Sequence, residues 1–198
     1  MREAREEDCR ADILDDIQVI QRQCEKVVQI ISGLLAFSRQ SPFEPKEADA
    51  NRTVANAVGL VEHVLKNRGI QCELDLDPDL PLVTFDTTRI EQVMLNLFNN
   101  SMDAMPDGGV LRVGSSATVE GENEMILIRV ADTGEGIPRE NLERLFDPFF
   151  TTKEVGKGTG LGLAISYGIV QEHGGRLEAE SQVGDGATFT VLLPIRGV

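Results

Sequence analysis

The sequence predicts an α/β fold led by one long helix. Three observations predict it. Apolar positions recur at helical spacing over residues 8–40, helical and alternating patterns mix between 51 and 104, and paired strand-like runs bounded by glycine turns fill much of the remainder. Ile13, Ile17, Ile20, Cys24, Val27, Ile31, Leu34 and Ser38 step by four and three residues, a heptad seam. Leu14, Val28 and Leu35 widen that seam, so the helix is expected to pack in a bundle. "SPFEP" (41–45) stops it with two prolines and reads as the start of a short linker.

The next elements follow in order. Residues 51–68 suit a helix with Val54, Val58, Val61 and Leu65 on one face. "IQCELDL" (70–76) alternates as a half-buried strand, "DPDLP" is a turn and "LVTF" a short strand. Asp86 is placed to cap a helix through "RIEQVMLNLFNNSMDAM", with Met94, Leu95, Leu97 and Phe98 as its core face and "PDGG" as its end. "VLRVGSSATV" and "EMILIRVAD" form a hairpin around "EGEN". A loop-rich region runs from about 132 to 160. "LGLAISYGIVQEHGG" (161–175) is a helix closed by glycine, and "RLEAES" and "ATFTVLLP" are the last strands.

Composition narrows the function. The chain has 198 residues, 41% of them hydrophobic and 26% charged, as expected for one globular domain with an appendage. No apolar run approaches the ~20 residues that span a bilayer, and the charged "MREAREEDCR" has no signal-peptide core. The net charge of −14 argues against nucleic acid as a partner. A polyanionic ligand would need a metal, backbone N–H groups or a few placed cations. Cys9, Cys24 and Cys72 are scattered and odd in number, which supports neither a disulfide framework nor a zinc site and makes a reducing cytoplasm the default.

Five stretches carry candidate chemistry. "NLFNNSMDAM" (96–105) puts Asn96, Asn99, Asn100 and Asp103 inside a helix, where such residues compete for backbone hydrogen bonds and are unfavourable without a task. "ADTGEGIP" (131–138) sets Asp132 at a strand end, with Gly134 and Gly136 allowing a tight turn and close approach of a flat ligand. "LFDPFFTTK" (145–153) places Phe146, Phe149 and Phe150 where they could hinge a lid. "GKGTGLGLAIS" (156–166) offers backbone N–H groups and a helix N-terminus to a phosphate, with Lys153 and Lys157 as accompanying cations. "GDGATF" (184–189) is a glycine turn before the last strand. The fourth stretch is not a P-loop, because the Gly-x-x-x-x-Gly-Lys-Ser/Thr order is absent, and it does not follow a strand as a dinucleotide fingerprint should.

Taken in this order and spacing, these stretches resemble the catalytic, ATP-binding domain of sensor histidine kinases. The resemblance covers about residues 50–195 and is closest to the nitrogen-regulation kind, which tends to read "NAxDAMPxGG" here. The heptad helix looks like the second helix of the dimerisation and phosphoacceptor hairpin that precedes that domain. The resemblance implies residues 1–41 as that helix, with the first helix and its H-box absent, then 42–50 as linker and 51–198 as catalytic domain. It implies a two-layer α/β sandwich of the Bergerat type, a mixed sheet under helices. It implies ATP and Mg2+ as ligands. Partners would be the phosphoacceptor hairpin and a response regulator receiver domain, with a homodimer in the full-length protein. A cytoplasmic location follows, whether or not the full-length protein is anchored.

Carried over by position, Asn96 and Asn100, one turn apart, are the catalytic and magnesium-side pair. Asp132 would accept from the adenine amino group, Ile137 would pack on the ring, and Thr188 would lie near the adenine end. Gly158, Thr159, Gly160, Leu161, Gly162 and Leu163 would form the phosphate loop. Asp103 and Ala104 stand where many members carry Lys and an aromatic residue, so Asp103 is expected to act as a polar support or to hold a nearby loop. Neither histidine fits an H-box. His63 lacks the adjacent acid and the proline, and reads as a surface or half-packed residue. His173 sits at a helix C-terminus before "GG", where a His is favoured by the helix dipole. The expectation is therefore phosphotransfer to a histidine outside this chain, with no autophosphorylation by the chain alone. Two rivals remain: an ATP hydrolase of the same superfamily, and a non-catalytic nucleotide-sensing module. Hydrolases carry a Glu general base one turn before the metal Asn. Here that position is Asn96, whose amide cannot take a proton, and Glu91 lies too far back.

Overall fold

The computed structural model describes residues 42–121, 123–153 and 158–196. The heptad helix expected over 8–40 lies outside the described residues. Strand β1 (Lys46–Ala48) pairs antiparallel with β3 (Val83–Phe85), so the stretch read as a linker contributes a short strand. Three residues with one half-buried side chain give no periodicity to read, which is why the sequence pattern missed it.

Helix α1 (Ala50–Asn67) begins where the Asp49 carboxylate accepts the Arg52 N–H at 3.1 Å, and it buries the expected face of Val54, Val58, Val61 and Leu65. Helix α2 (Thr87–Ala104) begins where the Asp86 carboxylate accepts the Arg89 N–H at 3.2 Å. It buries Ile90, Val93, Met94, Leu97, Phe98, Ser101 and Met102, while Leu95 reaches the core only in part. Between these helices lies β2 (Ile70–Leu76).

Strands β4 (Gly109–Glu120) and β5 (Asn123–Asp132) form the expected hairpin. Helix α3 (Arg139–Leu142), a single turn in the region read as loop, follows it. Helix α4 (Gly162–Glu172) ends before Gly174, whose φ of 69° reverses the chain, and β6 (Arg176–Ser181) and β7 (Ala187–Pro194) complete the fold. The sheet order is β2-β4-β5-β7-β6, with β2 parallel to β4 and the other pairs antiparallel. This is the mixed sheet of a two-layer α/β sandwich, as expected.

The core lies between the helices and one sheet face. Every second residue from Ile126 through Ile128 and Val130 is buried, as are Phe189, Val191 and Leu193 across the ladder in β7. The same alternation carries Asp132 onto the buried face at the end of β5. A carboxylate is thereby delivered beneath the helix layer, where it needs partners.

Candidate functional site

The Asp132 carboxylate is only 6% exposed and is held on several sides. Its Oδ1 accepts the N–H of Gly134 at 3.0 Å and of Ala187 at 3.1 Å. Its Oδ2 accepts the Ser101 hydroxyl at 2.9 Å. A carboxylate has about four acceptor positions, so Oδ2 retains room for one more donor. Ser101 was not singled out from sequence. Its signal is faint: a small hydroxyl residue on the buried stripe of the Asn-rich helix, among methionines and phenylalanine.

Gly134 and Gly136 shape the turn that leaves Asp132. Glu135 N–H bonds to the Ala104 carbonyl at 3.1 Å, fixing the turn to the end of α2. Gly136 has φ of 73°, and a Cβ there would stand 2.1 Å from the Gln182 carbonyl oxygen, so only glycine fits without moving the backbone. Ile137 follows, its N–H held by Ser181 Oγ at 2.7 Å, and it packs in part on the core. Thr188 pairs with Ala131 across β5 and β7, one register step from Asp132. Thus Asp132, the glycine turn, Ile137 and Thr188 are brought together around the end of two strands.

Asn96 and Asn100 lie one turn apart on α2 but do different things. The Asn96 amide N–H2 bonds to the Gly162 carbonyl and to Ser166 Oγ, both at 3.1 Å, and so braces α2 against the first turn of α4. The Asn100 carbonyl oxygen faces Lys153 Nζ at 3.5 Å. Lys153 Nζ also reaches Asp103 at 2.7 Å, and the other Asp103 oxygen accepts from Arg68 at 3.1 Å. Burial raises the Asp103 pKa, but the Lys153 and then Arg68 hydrogen bonds and charges outweigh it and leave the carboxyl below its ordinary value. Arg68 was not foreseen, because 35 residues separate it from Asp103.

The glycine loop is anchored at its base. Phe149 N–H bonds to the Gly160 carbonyl at 2.9 Å. Gly160 has φ of 65°, and a Cβ there would meet the Phe149 carbonyl carbon at 2.4 Å. Gly158 lies against Thr151 and Lys153, and Thr159 Oγ1 accepts the Leu161 N–H at 3.3 Å. Leu161 is buried, Gly162 opens α4 beside Asn96, and Leu163 packs in part on the core. Lys157 lies outside the described residues. The three phenylalanines read as a hinge divide: Phe146 stacks on Tyr167 and Phe150 lies under Arg144, while Phe149 is 63% exposed with φ of 68°.

The histidines separate clearly. His63 is exposed on α1 and contacts the Asn67 amide at 3.0 Å. His173 is 4% exposed, and its Nε2 accepts the Asp86 N–H at 3.0 Å while Nδ1 faces the Ile169 carbonyl at 2.7 Å. An acceptor nitrogen must lack a proton, so in this arrangement Nε2 accepts and Nδ1 is the ring nitrogen that donates to Ile169. His173 thus stands at the helix C-terminus where the sequence put it, held there by buried partners.

Among the described residues, no three His, Cys, Asp or Glu side chains gather as a metal cage, and no helix is long and apolar enough to cross a membrane. The polar faces are instead amide, hydroxyl, backbone and lysine groups flanking one buried carboxylate. Residues 85–197 match the family described as histidine kinase-, DNA gyrase B-, and HSP90-like ATPase. The chain belongs to this ATPase family. Across 90% of its length the family member is 38% identical to sensor kinase CckA of Brucella abortus, of which it spans 20%. It is 32% identical to the solved catalytic domain of histidine kinase ThkA, covering 77% of this chain and 99% of that one with a TM-score of 0.67. ThkA in complex with the response regulator TrrA is 28% identical, with a TM-score of 0.73 over 90% of this chain and 50% of that one. The ATPase domain is thus of the kind found in sensor histidine kinases.

Proposed function

We propose that this chain is the ATP-binding catalytic portion of a sensor histidine kinase, transferring the ATP γ-phosphoryl to a histidine other than His63 or His173. The observation that carries the choice of reaction is Asn96. Its amide nitrogen is committed to Gly162 and Ser166, and no carboxylate stands at that position to take a proton from water. A hydrolase would need that base.

The residues divide the work by position. Asp132 Oδ2 accepts from the adenine amino group, while Gly134 N–H and Ala187 N–H keep the carboxylate aimed. Ile137 and Thr188 bound the base. The segment 158–163 directs backbone N–H groups toward phosphate at the start of α4. Asn100, with the Asn96 oxygen, is the magnesium side. An amide set, with no carboxylate cage among the described residues, fits a hard cation held mostly by phosphate and water, and magnesium, when bound, supplies charge neutralisation of the phosphates. The chain's own contribution is positioning and charge stabilisation.

Residues 1–41 are proposed as the second helix of a dimerisation hairpin, 42–50 as the connection and 51–198 as the catalytic domain. The full protein would be a dimer in the cytoplasm, of the nitrogen-regulation kind suggested by "NSMDAMPDGG". A response regulator would receive the phosphoryl group, a partner supported by the solved ThkA–TrrA complex. The test is to supply a separate hairpin bearing an acceptor histidine, with labelled ATP and magnesium. Transfer of label to the hairpin with slow phosphate release is expected. Fast phosphate release without transfer would favour a hydrolase, and stable label on His63 would overturn the choice of acceptor.

A further inference from the structure

We propose that Asp103 is a positioning residue, which with Arg68 behind it aims Lys153 at the phosphates of the bound nucleotide. Asn96, Asn100 and Asp103 form one stripe along α2, spaced by four and three residues. Lys153 Nζ spans the last two members, at 3.5 Å from Asn100 Oδ1 and 2.7 Å from Asp103 Oδ2. An ammonium has three donors, so these contacts leave one for a ligand oxygen over the Asn100 face.

Asp103 is itself fixed. Arg68 Nη1 bonds to its Oδ1 at 3.1 Å and to the Met102 carbonyl at 3.2 Å, tying the carboxylate to the end of α1. The same two cations that fix Asp103 hold its carboxyl below the ordinary value, favouring its charged form. Local charge also fits. One carboxylate between two cations leaves a net positive spot in a chain of net charge −14. A free lysine stem on a loop has many rotamers, and holding its head in place removes that cost from binding.

The proposal depends on the nucleotide reading of the site and makes a prediction of unusual sign. Simple electrostatics says that removing a negative charge near a polyphosphate strengthens binding. Here Asp103→Asn should weaken it, because Lys153 loses its anchor. The experiment titrates the full chain with ATP and AMP in magnesium, for wild type, Asp103→Asn, Lys153→Met and the double variant, with ligand-free melting recorded for each. Lys153→Met and Asp103→Asn should each weaken ATP binding about three- to tenfold. AMP binding and ligand-free melting should stay close to wild type. The double variant should be no weaker than Lys153→Met alone. Arg68→Met, which touches no ligand, should reproduce part of the Asp103→Asn loss. Stronger ATP binding by Asp103→Asn, or losses that add in the double variant, would overturn the positioning role while leaving ATP binding intact. Absence of ATP binding by the unsubstituted chain would instead overturn the nucleotide reading, and this proposal with it.

Discussion

Two carboxylates near the end of α2 show how environment divides similar residues. Asp132 is buried and satisfied by two backbone N–H groups and a hydroxyl. Asp103 is half-exposed and held by two cations. The second arrangement links pH to stability with a definite sign. A folded pKa below the unfolded one contributes stability that is complete above the unfolded value and is lost as pH falls through the folded value. Both partners are more than a third exposed or close to it, so solvent screening keeps the contribution below about 1 kcal/mol. Unfolding free energies of wild type and Asp103→Asn, measured from neutral to acid pH, should differ most near neutrality and converge on acidification. A gap that widens as the pH falls would contradict the ion-pair assignment.

At the level of elements, α4 is joined to α2 at both of its own ends. Asn96 joins them beside the glycine loop. At the far end, His173 accepts the Asp86 N–H, Arg89 pairs with Glu172, and Phe43 meets the His173 ring edge-on at 4.8 Å between centroids. Removing the buried acceptor should be costly. His173→Leu should lose about 2–4 kcal/mol in denaturant unfolding, from the orphaned N–H and disturbed packing. His63→Ala, at an exposed site, should stay within about 0.5 kcal/mol. Equal effects would show that the His173 contacts contribute nothing.

Most of these elements were legible because their burial repeats. The faces of α1 and α2 and the strands β4, β5 and β7 follow periods of 3.6 and 2, and Asp49 and Asp86 occupy cap positions. Short pieces were not legible. β1 has three residues and α3 one turn, too few to establish a period. At the candidate site, motif residues were readable by position, but their partners were not. Ser101 under Asp132, Ser166 against Asn96, and Arg68 behind Asp103 join segments 31 to 70 residues apart, and only the folded topology brings them together.

At the scale of the molecule, a strongly acidic chain must receive a polyanion. In the proposed function it would do so with a few local features: a glycine loop at the start of α4, amides on α2, and Lys153 backed by Asp103 and Arg68. The proposed base end would rely on one buried carboxylate, Asp132, with one acceptor position left. That gives a sharp substitution. In Asp132→Asn the amide oxygen can still take the Gly134 and Ala187 N–H groups, while the nitrogen that replaces Oδ2 donates and cannot receive an adenine amino group. The most direct measurement is a calorimetric titration of ATP into the full chain and the Asp132→Asn variant, with and without magnesium. Wild type should bind ATP more tightly with magnesium, and the variant should lose about tenfold or more while melting near the wild-type temperature without ligand. Equal ATP affinity for wild type and variant would contradict the site.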